Sequence, residues 1–140
     1  MARTVVVDSG YWLALFDARD QYHPQAQTKV HDIESLIVAF PWPILYETLG
    51  TRFVKNRLGM ASFERILKRQ NIHFIDDHVD RHSALESTLQ ESQRGARSIS
   101  LCDMLTRMLL QDEGLRIDSL LTFNVKDFAD VCRRAKVQIL

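Results

Sequence analysis

Hydrophobic residues along the chain switch repeatedly between two spacings. Short continuous apolar runs alternate with stretches in which apolar residues recur every three or four positions. Thr4 to Val7 is a β-branched run of the kind that fits a strand buried on both faces. Leu36 to Ala39 has the same character, Ile72 to Ile75 alternates in part, and Ser119 to Thr122 and Val137 to Leu140 complete a set of five predicted strands. Helices are predicted from Tyr11 to Phe16 and from Pro24 to Glu34, with proline suited to the first turn. A longer helix is predicted from Pro43 to about Arg57, with Leu45, Leu49 and Phe53 four apart on one stripe and Gly59 ending it. Ser62 to Gln70 follows, carrying Phe63, Ile66 and Leu67. His78 to Gln93 has Leu85 and Leu89 on one face. After a loop at residues 94–97, Ser98 or Ser100 is placed to cap a helix from Leu101 to Gln111. A short helix is expected near Lys126 to Cys132.

Strands alternating with helices predict an α/β fold: a three-layer α/β/α sandwich around a central, mostly parallel sheet of about five strands. No internal repeat, low-complexity tract or long linker divides the chain, so residues 1–140 read as a single domain.

Ligands of such sheets bind outside the carboxyl ends of the strands, and the residues that follow each predicted strand are therefore the informative ones. Asp8 follows the first strand directly, where it is placed either to cap the next helix or to face a ligand. Glu47 lies one turn into the helix after the second strand, among Leu45, Tyr46 and Leu49, which puts it near a buried face. Asp103 lies in the first turn of the helix from Leu101, where it suits the helix dipole or a pair with Arg107. Asn124 and Asp127 follow the strand that ends at Thr122, as turn residue and first-turn acid. Each position has an ordinary structural reading. Jointly, a parallel sheet gathers all five at one end. Carboxylates gathered without a counter-charge repel one another and hold their protons more tightly. A divalent cation resolves that repulsion, and carboxylates with retained waters are the usual ligands of Mg²⁺ or Mn²⁺. Such a site fits hydrolysis of a phosphodiester.

Composition constrains the rest. At 46% hydrophobic and 26% charged the chain is ordinary globular material, which excludes a disordered protein. Lysine plus arginine and aspartate plus glutamate each total 18, a net charge of +0. That balance argues against gripping nucleic acid by bulk positive charge, while leaving room for local basic patches. Candidates for phosphate contact are Arg52, Lys55 and Arg57, then Arg65, Lys68 and Arg69, then Arg94 and Arg97. Cys102 and Cys132 read as small apolar residues rather than a disulfide framework. His78 and His82, four apart beside Asp76, Asp77 and Asp80, lack a third ligand at zinc spacing and read as a polar face. Without a signal-peptide pattern or an apolar run near the roughly 20 residues of a membrane span, the chain is expected to be soluble and cytoplasmic, with no membrane partner.

Four segments together resemble the PIN domain, the fold of many ribonuclease toxins of the VapC type. They are Val5-Val6-Val7-Asp8-Ser9-Gly10-Tyr11-Trp12-Leu13-Ala14-Leu15-Phe16, Ile44-Leu45-Tyr46-Glu47-Thr48-Leu49, Ser100-Leu101-Cys102-Asp103-Met104-Leu105, and Leu120-Leu121-Thr122-Phe123-Asn124-Val125-Lys126-Asp127-Phe128. They occur in the family's order across almost the whole chain. The resemblance implies an Mg²⁺-dependent (or Mn²⁺-dependent) endoribonuclease, with Asp8 and Asp103 as metal ligands and Glu47 as a third ligand or the holder of a coordinated water. It also implies Ser9 as a neighbouring hydroxyl. Where the family often has a fourth acid, this chain has Asn124, with Asp127 three residues on as the substitute. RNA as substrate, a homodimer and a cognate antitoxin are implied in the same way. The Asn124 departure leaves a second reading open, a catalytically weak PIN-like module that binds RNA or protein. A free-standing RNA-processing nuclease and a nuclease acting on DNA are further alternatives.

Overall fold

Val5, Val6 and Val7 are buried at the centre of a five-stranded sheet in the computed structural model, which describes residues 2–95 and 97–140. Ala96, part of the expected loop at 94–97, lies outside the described residues. The strands are β1 (Thr4–Val7), β2 (Ile37–Pro41), β3 (Ile72–Ile75), β4 (Ser119–Leu121) and β5 (Gln138–Ile139), in the order β3-β2-β1-β4-β5. All four pairings are parallel. Val5 is opposite Val38 on one side and Ser119 on the other. The five predicted strands are present, β1 and β3 with the predicted ends and the other three with ends shifted by a residue or two.

The chain runs outward from β1 to β2 to β3, then returns to β4 on the other side of β1 and continues to β5. Right-handed crossovers place the helices of these two halves on opposite faces of the sheet, giving the expected α/β/α sandwich. The first half carries α1 (Ser9–Leu15), α2 (His23–Thr28), α3 (Val30–Glu34), α4 (Trp42–Thr48), α5 (Thr51–Val54) and α6 (Arg57–Leu67). The second carries α7 (Arg81–Arg94), α8 (Leu101–Gln111), a 3₁₀ turn at Val125–Asp127 and α9 (Ala129–Ala135). The reversal falls between β1 and β4, the topological switch point at which open α/β sheets form their ligand crevice.

The core beside α1 is aromatic. Trp12 stacks on Phe40 at 5.7 Å and tilts against Phe63 at 5.4 Å, while Tyr11 meets Trp12 edge-on. All four are buried. Ala84, Ile99, Met104 and Leu105 form a smaller cluster between α7 and α8.

Three helix expectations are corrected. The helix expected over Pro24 to Glu34 is two, α2 and α3. The Thr28 hydroxyl donates to the Gln25 carbonyl at 2.7 Å, and the Lys29 N–H turns back to Ala26, a tight closing turn. The helix expected from Pro43 to Arg57 also breaks, at Leu49 and Gly50. Thr48 donates its hydroxyl to the Ile44 carbonyl, and Gly50 is extended (φ −74°, ψ 176°). Leu45, Leu49 and Phe53 therefore do not form one stripe. Gly59 does not end a helix but lies inside the first turn of α6. Asn56 caps that helix by accepting the Gly59 N–H at 2.9 Å. A Cβ at Gly59 would lie 2.7 Å from the Asn56 amide nitrogen, so any side chain there would require the Asn56 cap to shift.

Further differences are local. The helix expected from His78 starts at Arg81, after Asp76 accepts the His78 N–H and Asp77 ties to Arg81. Leu85 and Leu89 are exposed, and the buried contact of α7 is Ala84. Ser100, not Ser98, caps α8 through the Asp103 N–H. The last short helix divides into the 3₁₀ turn and α9.

Candidate metal centre

Asp8 is positioned by the centre of the sheet. Its N–H continues the β1–β4 ladder to the Leu121 carbonyl at 2.9 Å, so its side chain emerges at the switch point. One carboxylate oxygen accepts the Ser9 N–H at 2.9 Å, capping α1, and the other accepts the Thr122 hydroxyl at 2.8 Å. Capping and facing the crevice are thus not alternatives here; the same carboxylate does both, and each oxygen keeps a further acceptor site.

The Ser9 hydroxyl donates to Glu47 Oε1, which links the start of α1 to α4. Glu47 itself is exposed, contrary to the buried-face expectation. The helix faces inward through Ile44, Leu45 and Thr48, and Glu47 lies on the crevice side. Asp103 is half-buried in the first turn of α8. It does not pair with Arg107 as the i,i+4 spacing suggested; that arginine turns to Asp130, with bonds of 2.7 and 2.9 Å. Arg107 also donates to the Asp127 carbonyl at 2.7 Å, fastening the closing turn to α8. The Asn124 amide then bridges two acids, reaching Asp127 at 2.8 Å and Asp103 at 3.4 Å.

The five residues singled out from the sequence therefore converge, joined by Ser9 on one side and Asn124 on the other. Sequence reasoning missed one neighbour. Cys102, expected to be a plain apolar residue, is half-buried and shares the site: donor atoms of Glu47, Cys102 and Asp103 lie within 4.8 Å of one another. Its position immediately before Asp103 was the available signal. Burial and the adjacent carboxylates push the Cys102 thiol up, which keeps it protonated. Among the described residues, His78 and His82 belong to no such group.

Electrostatics at the site are unbalanced. Among the described residues no ion pair reaches Asp8, Glu47, Asp103 or Asp127. Burial raises the Asp103 carboxyl to about 7, and Asp8, Glu47 and Asp127 add to the effect. Asp8 is also raised, first by burial and then by Glu47, with the Thr122 hydrogen bond opposing. An uncompensated set of hard oxygen donors fits a divalent cation of the Mg²⁺ or Mn²⁺ kind.

Four of the eight expected basic contacts are engaged in ion pairs among the described residues. Arg97 donates to Asp130 at 3.2 Å and to the Lys126 carbonyl at 3.0 Å, bracing the same closing turn. Arg52 pairs with Asp17, Lys68 with Glu64 and Arg69 with Glu34. No helix among the described residues is long and apolar enough to cross a membrane.

No protein-family model matches the chain, and no curated protein matches it in sequence. Solved structures do match in three dimensions. VapC20 of Mycobacterium tuberculosis, described as a sarcin-ricin loop cleaving toxin, superposes with a TM-score of 0.69 at 21% identity, over 90% of this chain and 94% of that one. VapBC2 of Rickettsia felis, solved bound to a DNA fragment from its promoter, superposes with a TM-score of 0.58 at 13% identity, over 98% of this chain and 97% of that one. With its all-parallel five-stranded sheet and near-complete overlap with these proteins, the chain has the PIN-like α/β fold of the VapC toxins.

Proposed function

We propose that this chain is a metal-dependent endoribonuclease and the toxin of a toxin-antitoxin pair. The observation that carries the reading is the set of carboxylates with no cationic partner among the described residues, Asp8, Glu47 and Asp103, at the switch point of a fold shared with a sarcin-ricin loop cleaving toxin. Asp8 and Asp103 would hold Mg²⁺ or Mn²⁺, with Glu47 as third ligand or as the acceptor for a water beside it. When bound, the cation supplies an activated water and neutralises charge developing on the phosphate.

The chain's own groups then have distinct tasks. Thr122 and the Ser9 N–H orient the two oxygens of Asp8. Ser9 holds Glu47 in place. Asn124 donates to Asp103 and Asp127, so it aligns acids that would otherwise repel each other, and Asp127 takes part through that amide. Arg107 fixes the backbone of the closing turn at Asp127. RNA is the proposed substrate. A cognate antitoxin, as in the VapBC2 assembly, and a second copy of the chain are the proposed protein partners.

Cleavage of single-stranded RNA tests this reading. The wild-type protein is expected to cut in Mg²⁺ or Mn²⁺ and to stop when EDTA is added. Asp8→Asn and Asp103→Asn are each expected to abolish cleavage while circular dichroism shows a folded protein. Full activity in either variant overturns the assignment. A second reading, a PIN-like module that binds without cutting, is favoured by Asn124 standing where a further acid would add charge. It predicts RNA binding without metal-dependent cleavage in the wild type.

A further inference from the structure

Beside the metal centre, an open groove of about 870 Å³ runs along the start of α1 and the closing turn; its lining includes Asp8, Gly10, Gln21, Tyr22, Phe123 and Lys126. Its size is within the roughly 300–1,000 Å³ of clefts that hold small ligands or single nucleotides. Along it stands a column of three aromatic rings. Tyr11 is fully buried, with its hydroxyl donating to the Ala26 carbonyl at 2.8 Å. Phe123 stacks on Tyr11 at 6.1 Å, and Tyr22 stacks on Phe123 at 4.5 Å with an interplanar angle of 9°.

Tyr22 ends this column while 36% exposed. Its place is fixed by local hydrogen bonds: its N–H donates to Asp20 Oδ1 at 2.8 Å, and its carbonyl accepts the Ala26 N–H at 2.9 Å. A flat ring held this way loses little freedom when another ring is laid on it. At the same groove, Gln21 offers an exposed amide that both donates and accepts, and Lys126 offers an exposed ammonium. Asp8 lines the groove as well, so the groove is continuous with the carboxylate cluster.

We propose that this groove is a nucleoside subsite for single-stranded RNA. Tyr22 is the stacking platform for the base next to the scissile phosphate, Gln21 contacts that base's edge, and Lys126 contacts the neighbouring phosphate. Stacking on an exposed aromatic ring is the general means by which proteins hold single strands, since every base has a π-face. Here it supplies affinity that a chain of zero net charge does not get from bulk electrostatics. The inference deepens the ribonuclease reading and rests on it for the identity of the polymer.

Gly10 gives an independent handle. It lines the groove, and a Cβ added there meets no atom within 4 Å. A side chain at Gly10 therefore starts in open space at the groove, and Gly10→Leu is the variant chosen to obstruct it.

The test uses the full chain and a fluorescently labelled, mixed-sequence, single-stranded RNA 12-mer, read by anisotropy in EDTA and by the KM for cleavage in Mn²⁺. Tyr22→Leu, which still covers Phe123, is expected to weaken binding roughly 5- to 150-fold, the worth of one stacked base, and to raise KM in step. Tyr22→Phe, which keeps the ring, is expected to restore binding. Gly10→Leu is expected to weaken binding like Tyr22→Leu with no loss of melting temperature, since it replaces an exposed glycine inside α1, which keeps the test decisive if Tyr22→Leu misfolds. Wild-type affinity in folded Tyr22→Leu or in Gly10→Leu overturns the subsite while leaving the ribonuclease reading intact. Tyr22-dependent binding by a wild type that never cleaves supports the subsite and overturns the ribonuclease reading. A wild type that neither binds nor cleaves the 12-mer overturns both.

Discussion

Asp103 faces Asp8, Glu47 and Asp127 across a half-buried site, and its carboxyl is raised to about 7 from an ordinary 3.8. A raised value means that the folded state holds this proton more tightly than the unfolded chain does. The metal-free protein is therefore favoured by protonation here, and that contribution fades as pH rises from about 4 to about 7. Asp103→Asn removes the ionisable group. It is expected to raise the thermal stability of EDTA-treated protein at pH 8 by about 1 kcal/mol, the modest size following from solvent screening of a partly exposed group. That is roughly 3 °C in Tm by calorimetry, with no gain at pH 4. A loss of stability at pH 8 would mean that Asp103 is held by the fold rather than repelled by its neighbours. On the proposed reading, such a site is destabilised until a cation arrives, the opposite of what stability alone would select.

Helix α8 carries Asp103 at its start and Arg107 one turn later, and the two do different work. Arg107 is almost buried and binds both Asp130 and the Asp127 carbonyl, so it joins α8 to α9 and the closing turn. Arg107→Leu is expected to cost about 2 kcal/mol in urea unfolding, as charged hydrogen bonds are lost and Asp130 keeps only its more exposed partners. Asp130 is held well below the usual carboxylate range, first by its bonds to Arg107. Its stabilising contribution is present above about pH 4 and is lost as pH falls below that toward its folded value. Wild type should therefore lose stability in that acid range more steeply than Arg107→Leu. Element existence was legible where the pattern was regular, as a continuous apolar run in Val5-Val6-Val7 and as a three-to-four spacing of apolar residues from Leu101 to Gln111. The breaks after Thr28 and Thr48 were not legible. Both hydroxyls bond back to a carbonyl in the last turn, yet Thr88 and Thr106 do the same inside unbroken helices, so a threonine in the sequence does not mark an end. Gly59 misled for a related reason: its role is to admit the Asn56 cap, a contact three residues away.

At the scale of the molecule, the acids could be found from the sequence because a parallel sheet sends the carboxyl end of every strand to one edge. Asp8, Glu47, Asp103, Asn124 and Asp127 are separated by up to 119 positions in the chain yet joined through Ser9 and Asn124. Their pairings were not legible. Which oxygen Thr122 holds, that Ser9 reaches Glu47, and that Cys102 faces the acids depend on side-chain directions at element starts, where neither helical nor strand periodicity applies. The neutral total of 18 basic and 18 acidic residues also conceals this local excess of negative charge. Calorimetric titration of Mn²⁺ into metal-free protein at pH 7.5 tests the central claim most directly, with Asp103→Asn in parallel. The account predicts saturable binding by the wild type and loss of that binding in the variant. Absence of binding by the wild type, or equal binding by Asp103→Asn, would contradict it.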